Sequence, residues 1–132
     1  MNQIINDSVS AFCEGRRFKR SNMQIDVIGP NVLMWQHGNL IASRDGDLYS
    51  TVIGNAGWYT VTTKARLDAL LQRVTMGAWS IAGRNAPPGY VGEWTLYSRK
   101  HGEHLPFTGC IDIETLIELD DTIAKEKEVR NG

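Results

Sequence analysis

The sequence predicts an α+β domain: an antiparallel β-sheet or meander with a central amphipathic helix and a C-terminal helix. Three observations predict it. Between residues 23 and 53, short apolar runs are punctuated by Gly29-Pro30-Asn31, Gly38-Asn39 and Asp45-Gly46. Strands joined by such short links pair antiparallel. Leu67, Leu70, Leu71 and Val74 then fall at i, i+3, i+4 and i+7, one apolar helix face. Finally, Asp112 stands as a cap before Ile113, Leu116, Ile117 and Ile123, a second apolar face widened by Leu119.

At 132 residues the chain is long enough for one self-sufficient core. We read residues 1–132 as a single domain, with a β-rich body over 1–111 and a terminal helix over 112–130. The net charge of −1 gives no global drive toward nucleic acid or acidic membrane. Its distribution is uneven. From Asp112 onward seven acidic residues accompany three basic ones, so a mildly basic body carries an acidic tail.

Along the chain, Ser8 to Phe12 alternate weakly, which suggests an early strand. Arg16, Arg17, Lys19 and Arg20 surround Phe18. Either they form a phosphate-binding loop with Phe18 free to stack, or a solvated basic turn anchored by Phe18. Met23–Val27 and Val32–Trp35 read as a hairpin, Leu40–Ala42 as a short strand, and Leu48–Ile53 as the next strand after a tight Asp-Gly turn. Gly57 reads as a backbone hinge. Trp58–Val61 leave it extended, Thr62 or Thr63 caps the central helix, and that helix runs over about residues 62–73.

Beyond it, Val74–Ala82 read as a strand with Val74, Met76, Ala78 and Trp79 inside. Residues 83–89 form a loop, Glu93–Ser98 a strand, Arg99–Gly102 a basic turn, and Leu105–Ile111 a last extended piece. In the terminal helix Glu114 lies in the favourable first turn and Lys125, Lys127 and Arg130 near the end. Its adjacent Asp120-Asp121 read as solvated surface. The helix either packs on its own sheet or leaves the body for another subunit, and its charged outer faces favour the latter.

Only two cysteines occur, Cys13 and Cys110, each among apolar neighbours as buried thiols would be. With neither a signal-peptide pattern nor a run approaching the roughly 20 apolar residues of a membrane span, the expectation is a soluble cytoplasmic protein without a structural disulfide. A Cys13–Cys110 bridge is the alternative.

Catalytic signatures are sparse. There is no G-x-S-x-G, no Walker loop and no dinucleotide-binding glycine fingerprint. His101-Gly102-Glu103-His104 with Cys110 matches no standard zinc spacing. His37 reads as a surface or hydrogen-bonding residue. The sequence therefore predicts a binding protein rather than an enzyme, with no metal and no cofactor.

Binding has better support. Trp35, Trp58, Tyr59, Trp79, Tyr90, Trp94 and Tyr97 are many large aromatics for so small a domain; core packing takes several of them, and those near Arg84, Arg99 or the 16–20 cluster could instead stack on a nucleobase. Lys64 and Arg66 lie at the start of the central helix, where cations are slightly unfavourable and an anion nearby would be welcome. An ordinary strand-to-helix junction is the plainer reading. Arg16, Arg17, Arg84, Arg99 and Lys100 are candidates to hold phosphates, with Arg66 at the helix start. Trp58 or Tyr90 would stack on a base, and Thr62, Thr63 or Asn85 would fix hydroxyls.

The run Trp58-Tyr59-Thr60-Val61-Thr62-Thr63 leading into Arg66-Leu67 resembles a motif of small phage-encoded β-rich proteins. His37-Gly38-Asn39-Leu40-Ile41-Ala42 and Leu105-Pro106-Phe107-Thr108-Gly109 resemble its flanking signatures, so the likeness spans about residues 32–111. Asp68 departs from the asparagine expected after Arg66-Leu67. Among such proteins the chain resembles the phage Thoeris anti-defence sponges, which capture cyclic ADP-ribose isomers. Some of them also hold cyclic oligonucleotides at an intersubunit site. That resemblance implies a homo-oligomer that sequesters a small phosphorylated cyclic nucleotide without catalysis. Two other readings stand beside it: an inhibitor that binds a host defence protein through the acidic helix, and a small single-stranded nucleic-acid-binding domain.

Overall fold

The structure is a computed structural model describing residues 3–131, with side chains to Val129. The sequence-predicted role of Arg130 lies outside the described side chains. The chain opens with α1 (Gln3–Glu14), where a strand was expected. Ile5, Ser8, Val9 and Phe12 are all buried and recur at helical spacing. Ser8 hid this period by placing a hydroxyl on the core face. It is satisfied there by donating to the Ile5 carbonyl at 3.0 Å.

A six-stranded antiparallel sheet follows. It is built from β1 (Phe18–Arg20), β2 (Met23–Ile28), β3 (Asn31–Gln36), β4 (Asn39–Asp45), β5 (Val52–Gly54) and β9 (Cys110–Asp112), in the order β1-β2-β3-β4-β5-β9. The predicted meander is thus present. The β2–β3 ladder pairs Met23 with Gln36 and Ile28 with Asn31 without a break. Residues 48–50 form a 3₁₀ turn rather than strand, capped by the Asp47 carboxylate, which accepts from the Ser50 amide. The Asp-Gly pair therefore opens a longer link than a tight hairpin.

The central helix α2 (Val61–Val74) matches its predicted span to within a residue at each end. Leu67, Leu70 and Leu71 are buried on its core face. Its cap is Thr60, not Thr62 or Thr63: Thr60 Oγ1 accepts from the Thr63 amide. Ala56 and Gly57 before it both take positive φ, and the Trp58 amide closes the turn on the Asn55 carbonyl at 2.8 Å. Trp58–Thr60 then run into the helix without pairing in a sheet.

The strand expected over Val74–Ala82 is split. Val74 ends the helix, residues 75–78 turn, and β6 begins only at Trp79. Met76 is 95% exposed with φ 53°, the reverse of its predicted burial. β6 (Trp79–Arg84), β7 (Glu93–Ser98) and β8 (Glu103–Pro106) make a second, three-stranded antiparallel sheet. The expected extended piece over 105–111 therefore divides between the sheets: β8 pairs with β7, and β9 with β5.

α3 (Ile113–Asn131) packs on the body of its own chain. Ile113, Leu116 and Ile123 are buried, and Asp112 Oδ1 accepts from the Glu114 amide at the cap. Asp120 is not solvated surface. Its carboxylate accepts from buried Trp79 Nε1 at 2.9 Å and from Ser98 Oγ at 3.4 Å, and lies 3.6 Å from His101 Nε2. Lys127 adds a bond to the His101 carbonyl at 2.9 Å. Both cysteines are free, and Cys110 is exposed rather than buried. Among the described residues no helix is long and apolar enough to cross a membrane.

Candidate functional site

A cleft of about 780 Å³ opens at the N-terminus of α2. The β1–β2 turn supplies Asn22, and the end of β3 with its turn supplies Gln36, His37 and Asn39. The approach and first turn of α2 supply Trp58 and Thr60 to Thr63, and the β6–β7 loop supplies Asn85 to Pro88. The first helical amides, those of Val61 and Thr62, have no acceptor within the helix. They and the helix dipole favour an anion here. Trp58, 38% exposed, presents a ring at the same cleft.

The walls are tied together through backbone and aromatic contacts. The Ala86 amide donates to the Tyr59 carbonyl at 2.8 Å, and Lys64 Nζ donates to the Gly83 carbonyl at 2.8 Å. Tyr59 packs edge-on against Trp94 and Phe107, with centroids 5.0 and 6.4 Å apart. Trp94 Nε1 in turn donates to Asn85 Oδ1 at 2.9 Å, which fixes that side chain. These aromatics belong to packing, and they hold the loop that forms one wall of the cleft.

The floor is polar and buried. Thr63 Oγ1 accepts from Gln36 Nε2 at 2.8 Å and from Thr60 Oγ1 at 3.1 Å. Gln36 is only 6% exposed, and its Oε1 has no partner. Next to this layer Arg66, also 6% exposed, donates from one terminal nitrogen to Asn22 Oδ1 at 2.9 Å. Its Nε and other terminal nitrogen are unpartnered. Burial works against its charge and lowers its pKa. A guanidinium only donates, so Asn22 turns its oxygen to Arg66 and its amide nitrogen to His37 Nε2, 2.7 Å away. His37 Nε2 is thereby the acceptor, which places the ring proton on Nδ1.

Of the sequence-predicted site residues, Trp58, Thr62, Thr63 and Asn85 line this one cleft, with Arg66 joined to it through Asn22. The others do not. Arg16 pairs with Glu14 at 2.9 Å, and Arg17 donates to the Val27 carbonyl at 3.1 Å. Arg20 pairs with Asp7 and lies over the Phe18 ring, so this cluster is held by its own surroundings. Arg84 pairs with Glu93 at 3.2 Å. Arg99 donates to Gln72 from the β7–β8 turn, which also carries Lys100. Tyr90 is 68% exposed beyond the residues that line the cleft.

Sequence reasoning missed Asn22, Gln36 and Thr60 as parts of the site. His37 gave a usable signal. It and Gly38 both take positive φ, a tight turn that sets His37 beside Asn22. Asp68, where asparagine was expected, accepts from the Ile81 amide at 2.8 Å and from Gln72 Nε2 at 2.9 Å. Either side chain offers an oxygen for the first of these contacts.

The family model described as Kyanoviridae Gp96 protein matches residues 1–99, and the chain belongs to this phage protein family. The matched stretch includes every residue that lines the cleft and stops before α3. A phage protein is what the resemblance implied, although the match is not to the sponge family. No curated protein and no solved structure matches the chain.

Proposed function

We propose that this phage protein is a non-catalytic anti-defence protein that sequesters a small cyclic nucleotide signal, a cyclic ADP-ribose isomer or a cyclic oligonucleotide. The observation that carries the reading is the meeting of an exposed tryptophan and a helix N-terminus in one cleft. The ring offers a stacking face for a base, and the free amides offer donors for a phosphate. Assembly into a homo-oligomer in the host cytoplasm belongs to the same reading, and light scattering tests the assembly.

The test is a thermal-shift screen against cyclic ADP-ribose isomers and cyclic di- and trinucleotides. Each hit is heat-denatured and the released compound weighed by mass spectrometry. Ligand at 100 times its Kd adds about 2.7 kcal/mol of native stability, a shift of several degrees. Release of intact ligand supports sequestration. A changed mass makes the protein an enzyme, and no shift across the panel overturns the reading.

One further observation favours a second reading, inhibition of a host defence protein by direct contact. Glu114, Glu118 and Asp121 are exposed along α3, and their field reaches Tyr49. The phenol is pushed up first by partial burial and then by these carboxylates. Reversing the three charges abolishes activity under that reading and leaves Trp58→Ala harmless. Sequestration predicts the opposite pair of results.

A further inference from the structure

Two buried polar side chains, Gln36 in the lining of the cleft and Arg66 behind Asn22, carry more hydrogen-bonding capacity than the protein uses. Gln36 lines the cleft, is nine-tenths buried, and leaves an acceptor oxygen unpartnered just beneath the cleft surface, within reach of a ligand on a small rotation of the side-chain amide. Arg66 keeps a full charge with two unused donor nitrogens. Among the described residues it has no carboxylate partner within ion-pair distance. Leaving an acceptor buried and unpaired is destabilising, and leaving a buried cation unpaired is more so. A guanidinium has no neutral form to escape into at ordinary pH.

These demands have opposite signs. The α2 amides and Arg66 call for an oxyanion, whereas Gln36 Oε1 calls for a donor. A ligand that meets both carries a hydroxyl close to its oxyanion. We infer that the inner end of the cleft is a subsite for a sugar phosphate: the phosphate sits on the Val61 and Thr62 amides, and a sugar hydroxyl donates to Gln36 Oε1. Arg66 acts as a positioning residue. Its charge orients Asn22 and draws the anion inward, while Trp58 is left for whatever the sugar carries. This rests on the sequestration reading for its setting and sharpens it, since it states which part of a nucleotide enters first.

Amide NMR titration with three fragments tests it. Ribose 5-phosphate carries both features, ethyl phosphate only the oxyanion, and ribose only the hydroxyls. Ribose 5-phosphate is expected to shift the Val61 and Thr62 amides and to bind at least about tenfold more tightly than either of the others. Gln36→Leu should bring ribose 5-phosphate down to the level of ethyl phosphate. Arg66→Met should weaken both phosphates and leave ribose unchanged. If Arg66→Met does not fold, the Gln36→Leu comparison decides.

Shifts confined to other residues, or equal affinities of wild type and Gln36→Leu for ribose 5-phosphate, overturn the inference. Tight cyclic-nucleotide binding without a ribose 5-phosphate response at Val61 and Thr62 also overturns it, yet leaves sequestration standing. A fragment response without cyclic-nucleotide binding does the reverse.

Discussion

Two buried polar clusters among the described residues differ in how their charge is met. Behind α3, Trp79, Ser98 and His101 gather around the single carboxylate of Asp120. A helix closes over them; two groups donate to the negative charge, and His101 Nε2 lies 3.6 Å from it without a hydrogen bond. At the head of α2, Asn22, Gln36, Thr63 and Arg66 gather around no carboxylate, beside an open cleft, with three atoms unpartnered. The first arrangement fastens the last helix to the second sheet. The second leaves polar atoms unsatisfied beside an open cleft. Burial alone does not separate the two clusters; the sign and satisfaction of the charge do.

Asp120→Ala probes the difference most strongly. It orphans the buried indole N–H of Trp79, so we expect a loss of about 1–3 kcal/mol in chemical denaturation, with ligand binding unaffected. Thr60→Ala removes the α2 cap and should cost about 1 kcal/mol. Because the same hydroxyl bonds Thr63, it should also weaken binding in the cleft.

Arg66→Met is the sharpest test of the comparison. Replacing an uncompensated buried cation by an apolar chain of similar length should leave thermal stability within about 0.5 kcal/mol or raise it, while phosphate binding falls. A large destabilisation would mean that the two clusters are alike.

The smallest effect expected lies outside both clusters. Asp7 is held below the usual carboxylate range, first by the Gln3 side-chain amide and then by Arg20. A depressed carboxylate contributes stability above its unfolded pKa and loses it as pH falls through its folded value. The difference between wild type and Asp7→Asn should therefore be present at neutral pH and vanish in acid. Melting curves recorded across that range check it.

Much of the fold was legible because local pattern and tertiary demand agree. The Gly-Pro-Asn turn between two apolar runs gives β2 and β3, and the Leu67, Leu70, Leu71 spacing gives α2. Legibility failed where a residue served two purposes. Ser8 is polar yet faces the core, so α1 lost its period. Met76 is apolar yet sits at the tip of a turn, so the following strand was started too early.

For the site, the stretch from Trp58 to Arg66 stood out because turn, ring, hydroxyls and cations follow one another there. The predicted phosphate-binding arginines at 16, 17, 84 and 99 did not converge on it. Each finds a nearer partner within the fold.

By itself, then, the sequence determined the strand meander, the position of α2, and a helix start rich in hydroxyls. These follow from periodicity and turn chemistry, which act over a few residues. Tertiary structure alone decided that Asn22 and Gln36, distant in sequence from Thr63 and Arg66, meet them beneath one cleft. It decided also that Asp120 turns inward to Trp79. Long-range pairing sets which polar groups are buried together. The free energy of a buried polar group depends on its partners, and no local pattern specifies them.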